Sequence, residues 1–258
     1  MRSPPVLSPL LVLAVLLLGA VRAAPFVPAP GPPPPPPRAA RPSGEGPEPY
    51  LLVPPSLDRG KPVRLLVLLH GEGGDERSFA ERFRGAAGAA NLVLLSFRGP
   101  RPLPGGGYAW WDPEDPRPGE ALRAFYPVLV QAVRRAARSL GVERRLIVIA
   151  GFSQGAAAAL QAGLEFPGLF AGGVIAFSGR GYGPACEGDG AARAAALGRR
   201  VALTAGLEER TDAEEGERAA ERLNDRGVAC ALFAFRTGHD LPPHLEAVLE
   251  RILAWLAE

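Results

Sequence analysis

Three short stretches of this sequence hold residues that could do nucleophilic chemistry, and they occur in the order serine, acid, histidine. The first is Gly151-Phe152-Ser153-Gln154-Gly155. A serine hydroxyl is a weak nucleophile until a base takes its proton and the backbone holds it clear of its neighbours. A sharp strand-to-helix turn does the second job, and glycines two before and two after the serine remove the side chains that would collide in so tight a bend. The same turn puts the amide N–H of Gln154 at a helix N-terminus, where unsatisfied donors and the helix dipole favour a developing oxyanion. The flanks fit this reading. Arg145 to Ala150 is strand-like, and Gln154 to Leu164 is rich in small residues that let a helix pack close to a sheet.

The base follows from elimination. The chain has three histidines, at 70, 239 and 244. His244 stands at a helix start, and His70 stands at a strand end, where an imidazole bonds loop backbone. His239, in Gly238-His239-Asp240, lies in a loop after the last strand, from which it can reach the elbow while a carboxylate orients its other nitrogen. Between serine and histidine lies a glycine-led acidic turn, Gly206-Leu207-Glu208-Glu209. A fourth stretch, Leu69-His70-Gly71-Glu72-Gly73-Gly74-Asp75, reads as a glycine-rich turn that could bring a second backbone N–H, that of Glu72, beside the amide of Gln154.

The elements that must position these residues alternate. Tyr50 to Val53 reads as an edge strand, and Val63 to Leu69, Leu92 to Phe97, Leu146 to Ala150, Gly173 to Phe177, Val201 to Ala205 and Val228 to Phe235 read as buried parallel strands, because their apolar runs are nearly continuous. Helical stretches lie between them, at Arg77 to Ala89, Pro118 to Leu140, Gln154 to Glu165, Asp212 to Arg226 and Pro242 to Ala257. The alternation predicts an α/β fold, a mostly parallel central sheet with helices on both faces. Active sites in such sheets gather at the carboxyl ends of the strands, and each stretch above sits just after one.

The rest of the chain sets the context. A composition of 47% hydrophobic and 22% charged residues is that of a globular domain. Residues 1–23 carry Arg2, an apolar run from Leu10 to Val21 and a small-residue Val21-Arg22-Ala23 site, the pattern of a secretory signal peptide. The run is shorter than the ~20 residues that span a bilayer, with a retained N-terminal anchor as the alternative. Residues 24–47 are dominated by proline, six in a row from Pro32 to Pro37, and read as a stiff linker. One catalytic-sized domain remains, 48–258. Removing residues 1–23 takes Arg2 and Arg22 and no acid, which leaves the chain formally neutral, without the basic stripe that nucleic acid requires. The expected location is outside the cytoplasm, secreted or at the periplasm and cell envelope. Cys186 and Cys230 could pair there, or Cys230 could be a buried thiol.

Taken together, Leu69-His70-Gly71, Gly151-Phe152-Ser153-Gln154-Gly155 and Gly238-His239 resemble the phospholipase/carboxylesterase family of α/β-hydrolases, which includes acyl-protein thioesterases. The resemblance implies an α/β-hydrolase fold with little or no lid and no cofactor. It implies Ser153 as nucleophile, His239 as base, the amides of Glu72 and Gln154 as oxyanion hole, and Tyr108, Trp110 and Trp111 as a loop bordering the acyl pocket. It also implies an acid three residues beyond Gly206. That residue is Glu209 where the family carries aspartate, with Glu208 and then Asp212 as rivals. The expected activity is hydrolysis of small-molecule carboxylic esters, short-acyl ones, through an acyl-enzyme. The alternatives are an inactive hydrolase fold used as a binding module, or a serine hydrolase acting on thioesters, peptides or polymer esters.

Overall fold

The computed structural model describes Ala14–Val15, 48–112, 114–115 and 118–258. Residues 24–47, expected as a linker, and residues 1–23, expected as a signal peptide, lie outside the described residues apart from Ala14–Val15.

Among the described residues, ten strands and eight α-helices follow one another as β1 (Ala14–Val15), β2 (Tyr50–Leu52), β3 (Arg64–Leu69), α1 (Glu76–Arg82), α2 (Arg84–Ala89), β4 (Leu92–Phe97), β5 (Arg101–Pro102), β6 (Tyr108–Ala109), α3 (Pro118–Leu140), β7 (Ile147–Phe152), α4 (Gln154–Glu165), β8 (Val174–Phe177), α5 (Gly183–Glu187), α6 (Asp189–Ala196), β9 (Arg200–Gly206), α7 (Arg210–Asp225), β10 (Ala229–Phe235) and α8 (Leu245–Ala257). Eight strands form one sheet in the order β1-β10-β9-β8-β7-β3-β4-β2, while β5 and β6 form a separate hairpin. Within the large sheet only β2 runs antiparallel to its neighbour.

Strand periodicity sorts the core into two layers. Along β3, Leu65, Val67 and Leu69 point to the side covered by α3, α4 and α7, while Leu66 and Leu68 point to the side covered by α1, α2 and α8. All five are completely buried, which is why the strand reads as an unbroken apolar run. Helix α4 comes close to the sheet because its buried residues are mostly alanine and glycine. Gly163 of α4 leaves no room for a Cβ against Val174 of β8.

The register does the positioning. Leu69 pairs with Gly151, Phe152 with Phe177, and Gly206 with Phe235. The carboxyl ends of β3, β7, β8, β9 and β10 therefore finish nearly level, and the loops that leave them meet above the sheet.

Among the differences from the sequence reading are three in the helices. The helix expected over Arg77 to Ala89 is broken at Phe83, which closes α1 and opens α2 with φ −98° and ψ 0°. The break turns Phe83 wholly inward, its ring edge-on to Phe79. The last helix begins at Leu245 because His244, just before it, takes a left-handed conformation with φ 53° that cannot belong to a right-handed helix. The third difference is the short helices α5 and α6, whose few apolar residues carry no readable period. Cys186 and Cys230 are both free thiols.

Candidate active site

β7 runs straight into the elbow. Ser153 has φ 54° and ψ −119°, a conformation that costs a non-glycine residue on the order of 1–3 kcal/mol and persists only where its surroundings impose it. They do so here. A Cβ on Gly151 would strike the carbonyl oxygen of Gly155, and one on Gly155 would strike the carbonyl oxygens of Leu69 and His70. The turn is thus folded against itself and pressed onto the end of β3. The Ser153 N–H bonds the carbonyl of Phe177 at 3.0 Å, tying the elbow to β8 as well.

The loop after β10 brings His239 to the serine. Gly206 lies so close under Gly238 that a Cβ would meet its carbonyl oxygen, and the Glu208 N–H bonds the carbonyl of Thr237 at 3.0 Å. With this loop fixed, His239 Nε2 lies 2.8 Å from Ser153 Oγ. Its Nδ1 lies 2.6 Å from Oδ2 of Asp212. A carboxylate can only accept, so Nδ1 carries the proton, and Nε2 is free to accept the serine hydroxyl. The Phe152 ring, 5.1 Å from the imidazole between centroids, packs along its side. Asp240, next in sequence, is turned away into an ion pair with Arg82 at 2.6 Å.

The acid expected at Glu209 is not the one that meets the histidine. β9 ends at Gly206 and α7 begins at Arg210, which makes Glu209 the N-cap of the helix, its carboxylate 3.4 Å from Arg180 and part exposed. Glu208 is exposed. Asp212 lies three residues on from Glu209, on the same face of the first helical turn, and its side chain is wholly buried against His239. The carboxylate position has moved from the loop into the helix by about one turn.

The sequence pattern of the Phospholipase/Carboxylesterase family of α/β-hydrolases matches residues 57–186, half of the chain. The chain belongs to this family. Solved structures share its fold. Esterase PE8 superposes with a TM-score of 0.61 at 24% identity, over 81% of this chain and 98% of its own. A carboxylesterase from Mesorhizobium loti gives 0.62 at 22%, over 74% and 88%. The Bacillus cereus carboxylesterase gives 0.60 at 21%, over 81% and 92%. No curated protein matches the sequence. The family supports ester hydrolysis in general terms, and the solved structures show the same fold.

In this phospholipase/carboxylesterase chain the glycine-rich turn is a tight one, closed by the Gly74 N–H on the carbonyl of Gly71 at 3.0 Å, with Glu72 exposed at its tip. Gly71 touches the Phe152 ring, so the turn abuts the elbow. His70 is buried, its Nδ1 2.7 Å from the carbonyl of Gly71 and its Nε2 accepting the Gly99 N–H at 2.9 Å. Both ring nitrogens are committed to backbone, and burial pushes the imidazole below its ordinary range.

The aromatic loop divides in two. Trp110, expected at the pocket wall, is 1% exposed. Its indole N–H bonds the carbonyl of His70 at 2.7 Å and its ring stands edge-on to Phe125; the polar tip found a partner inside, so the whole residue could be buried. Trp111 and Tyr108 keep partial exposure. The Gln154 side chain clamps this loop, accepting the Trp110 N–H at 2.8 Å and donating to the carbonyl of Trp111 at 3.1 Å. Tyr108 is bonded in turn to the glycine turn, through its N–H to Gly74 and its carbonyl to Gly73. The arginine at 180, beside Asp212, had no local signal in the sequence. Among the described residues no helix is long and apolar enough to cross a membrane.

Proposed function

We propose that this chain is a serine hydrolase that cleaves carboxylic esters, preferring short acyl groups, through a covalent acyl-enzyme. The observation that carries the reading is the hydrogen-bonded relay from Ser153 through His239 to Asp212, at 2.8 and 2.6 Å. Ser153 Oγ attacks the ester carbonyl while His239 Nε2 takes its proton, and Asp212 holds Nδ1–H and stabilises the imidazolium that forms. The amide N–H groups of Glu72 and Gln154 receive the oxyanion. Collapse of the tetrahedral adduct breaks the ester C–O bond, and His239 returns its proton to the departing alkoxide. A water activated by the same histidine then attacks the acyl-enzyme, releasing the acid and the serine.

Short acyl chains are favoured because the insertions at the strand ends are a short hairpin and two small helices, and Trp110 is spent on the core. Residues 1–23 are proposed to direct export, with 24–47 as spacer; N-terminal sequencing of the exported chain tests that. For the chemistry, the test is labelling by a fluorophosphonate together with turnover of p-nitrophenyl esters of rising acyl length. Ser153→Ala should abolish both labelling and turnover while leaving the fold intact. Turnover retained in Ser153→Ala would end the mechanism, and a maximum at long acyl chains would end the short-chain preference.

A further inference from the structure

The carboxylate of Asp212 has two partners, one for each oxygen. Oδ2 takes the Nδ1–H of His239, while Oδ1 accepts a hydrogen bond from Nε of Arg180 at 2.7 Å. The Asp212 side chain has no exposure at all, and a fully desolvated carboxylate with only one donor would leave an oxygen unmet at considerable cost. Arg180 meets it.

The loop that carries Arg180 follows β8 and is fixed at several points. The Ser178 N–H bonds the carbonyl of Thr204 at 3.0 Å, and its hydroxyl donates to the carbonyl of Asp240 at 2.9 Å. The Gly179 N–H bonds the hydroxyl oxygen of the buried Tyr182 at 2.9 Å, and Gly179 leaves no room for a Cβ between Tyr182 and Ala156. The guanidinium therefore reaches Asp212 from a held backbone, although half of its own side chain faces solvent.

We infer that Arg180 is a positioning residue for the triad, fixing the plane of the Asp212 carboxylate and backing it with a positive charge; this rests on the serine-hydrolase reading above. Two effects follow. The first is orientation. With separate donors on the two oxygens, the carboxylate cannot rotate, and the imidazole it holds keeps Nε2 on Ser153. The second is charge. A fixed cation behind Asp212 offsets the attraction between that carboxylate and an imidazolium.

The groups around His239 make the charge effect legible. Asp212 faces it from α7, Ser153 and Phe152 face it from the elbow, and Asp240 adjoins it on its own loop. Each carboxylate is backed by an arginine, Asp212 by Arg180 and Asp240 by Arg82 of α1. Glu209 lies beyond Arg180 and only partly offsets it. The hydrogen bond to Asp212 pushes the Arg180 guanidinium further up, so it stays charged at any working pH. Without Arg180, Asp212 would stand beside the imidazole as an unbacked negative charge.

Arg180→Met and Arg180→Lys in the full chain test this, by kcat and KM across pH and by NMR titration of the His239 ring. In Arg180→Met, kcat should fall roughly ten- to a hundred-fold with KM little changed, the scale seen when a group that orients a site ligand is lost. The acid limb of kcat/KM and the His239 NMR titration should both move to higher pH, because a cation beside the pair is lost. Arg180→Lys, which keeps the charge without the planar Nε–H, should restore the limb but not all of kcat. An unmoved limb with an unmoved His239 titration overturns the inference, as does a loss confined to KM. If Arg180→Met does not fold, Arg180→Lys decides, and a kcat equal to that of the unsubstituted protein rejects the orienting role. Absence of phosphonate labelling in the unsubstituted protein would remove the hydrolase reading instead, while the NMR titration still decides whether Arg180 acts on His239.

Discussion

Asp212 and Glu209 stand three residues apart and have opposite fates, which makes them the most informative pair in the chain. Asp212→Asn should lower kcat by roughly 10³- to 10⁴-fold with folding unchanged, since an amide can set the wrong imidazole tautomer and cannot stabilise the imidazolium. Glu209→Gln should stay within a few-fold of the unsubstituted enzyme, because its carboxylate only borders Arg180; parallel turnover assays check both, and a larger loss at 209 than at 212 would return the acid to the loop. That Ser153 and His239 meet was legible in the sequence because their neighbours dictate their settings: glycines at fixed offsets for one, a loop after a final strand for the other. That Asp212 is the carboxylate on the histidine was not, because its place depends on where α7 begins. His70 offers a separate test. Burial lowers its pKa below the ordinary 6.5, so above that pH both folded and unfolded chains hold it neutral, and as pH falls below 6.5 the unfolded chain gains a proton that the folded one resists. Its contribution to stability is thus complete above 6.5 and declines with acidification. Melting temperatures from pH 7 to 5 should fall more steeply for the unsubstituted protein than for His70→Gln, which can keep one donor and one acceptor; parallel curves would exclude His70 as the cause.

At the scale of elements, the aromatic loop shows why composition misleads. Adjacent tryptophans in a glycine-rich loop look like pocket wall, but the indole N–H of Trp110 has the His70 carbonyl as a partner inside, and Gln154 pins the backbone on either side. Trp110→Ala should therefore act first on stability, by about 3–5 kcal/mol in denaturant melts. Trp111→Ala should instead change the acyl-length profile, with a much smaller effect on stability. A Trp110→Ala protein as stable as the parent would put that side chain back at the surface. The strands were legible because β3, β4 and β7 are buried on both faces and carry nearly continuous apolar runs. The break at Phe83 was not, since it answers to packing against Phe79 rather than to any local breaker.

At the scale of the whole molecule, the sheet order separates neighbours in sequence and joins strangers. Ser153 and His239 meet across 86 residues and His239 and Asp212 across 27, each delivered by a different strand, with Arg180 delivered by a fourth. Level strand ends mean that no local unit of the chain brings these four residues together. On the serine-hydrolase reading, catalytic competence is then a reporter of the complete fold: loss of phosphonate labelling at Ser153 should coincide in urea with loss of helical circular dichroism, as one transition seen by two probes. Labelling that vanished well before the helices melted would show the last strands peeling away from a surviving core. If Ser153 is the nucleophile proposed above, a joint that closes only when β7, β8, β9 and β10 are all in register also keeps partly folded chains chemically silent, so an emerging or misassembled copy would have no reactive serine to spend on the wrong ester.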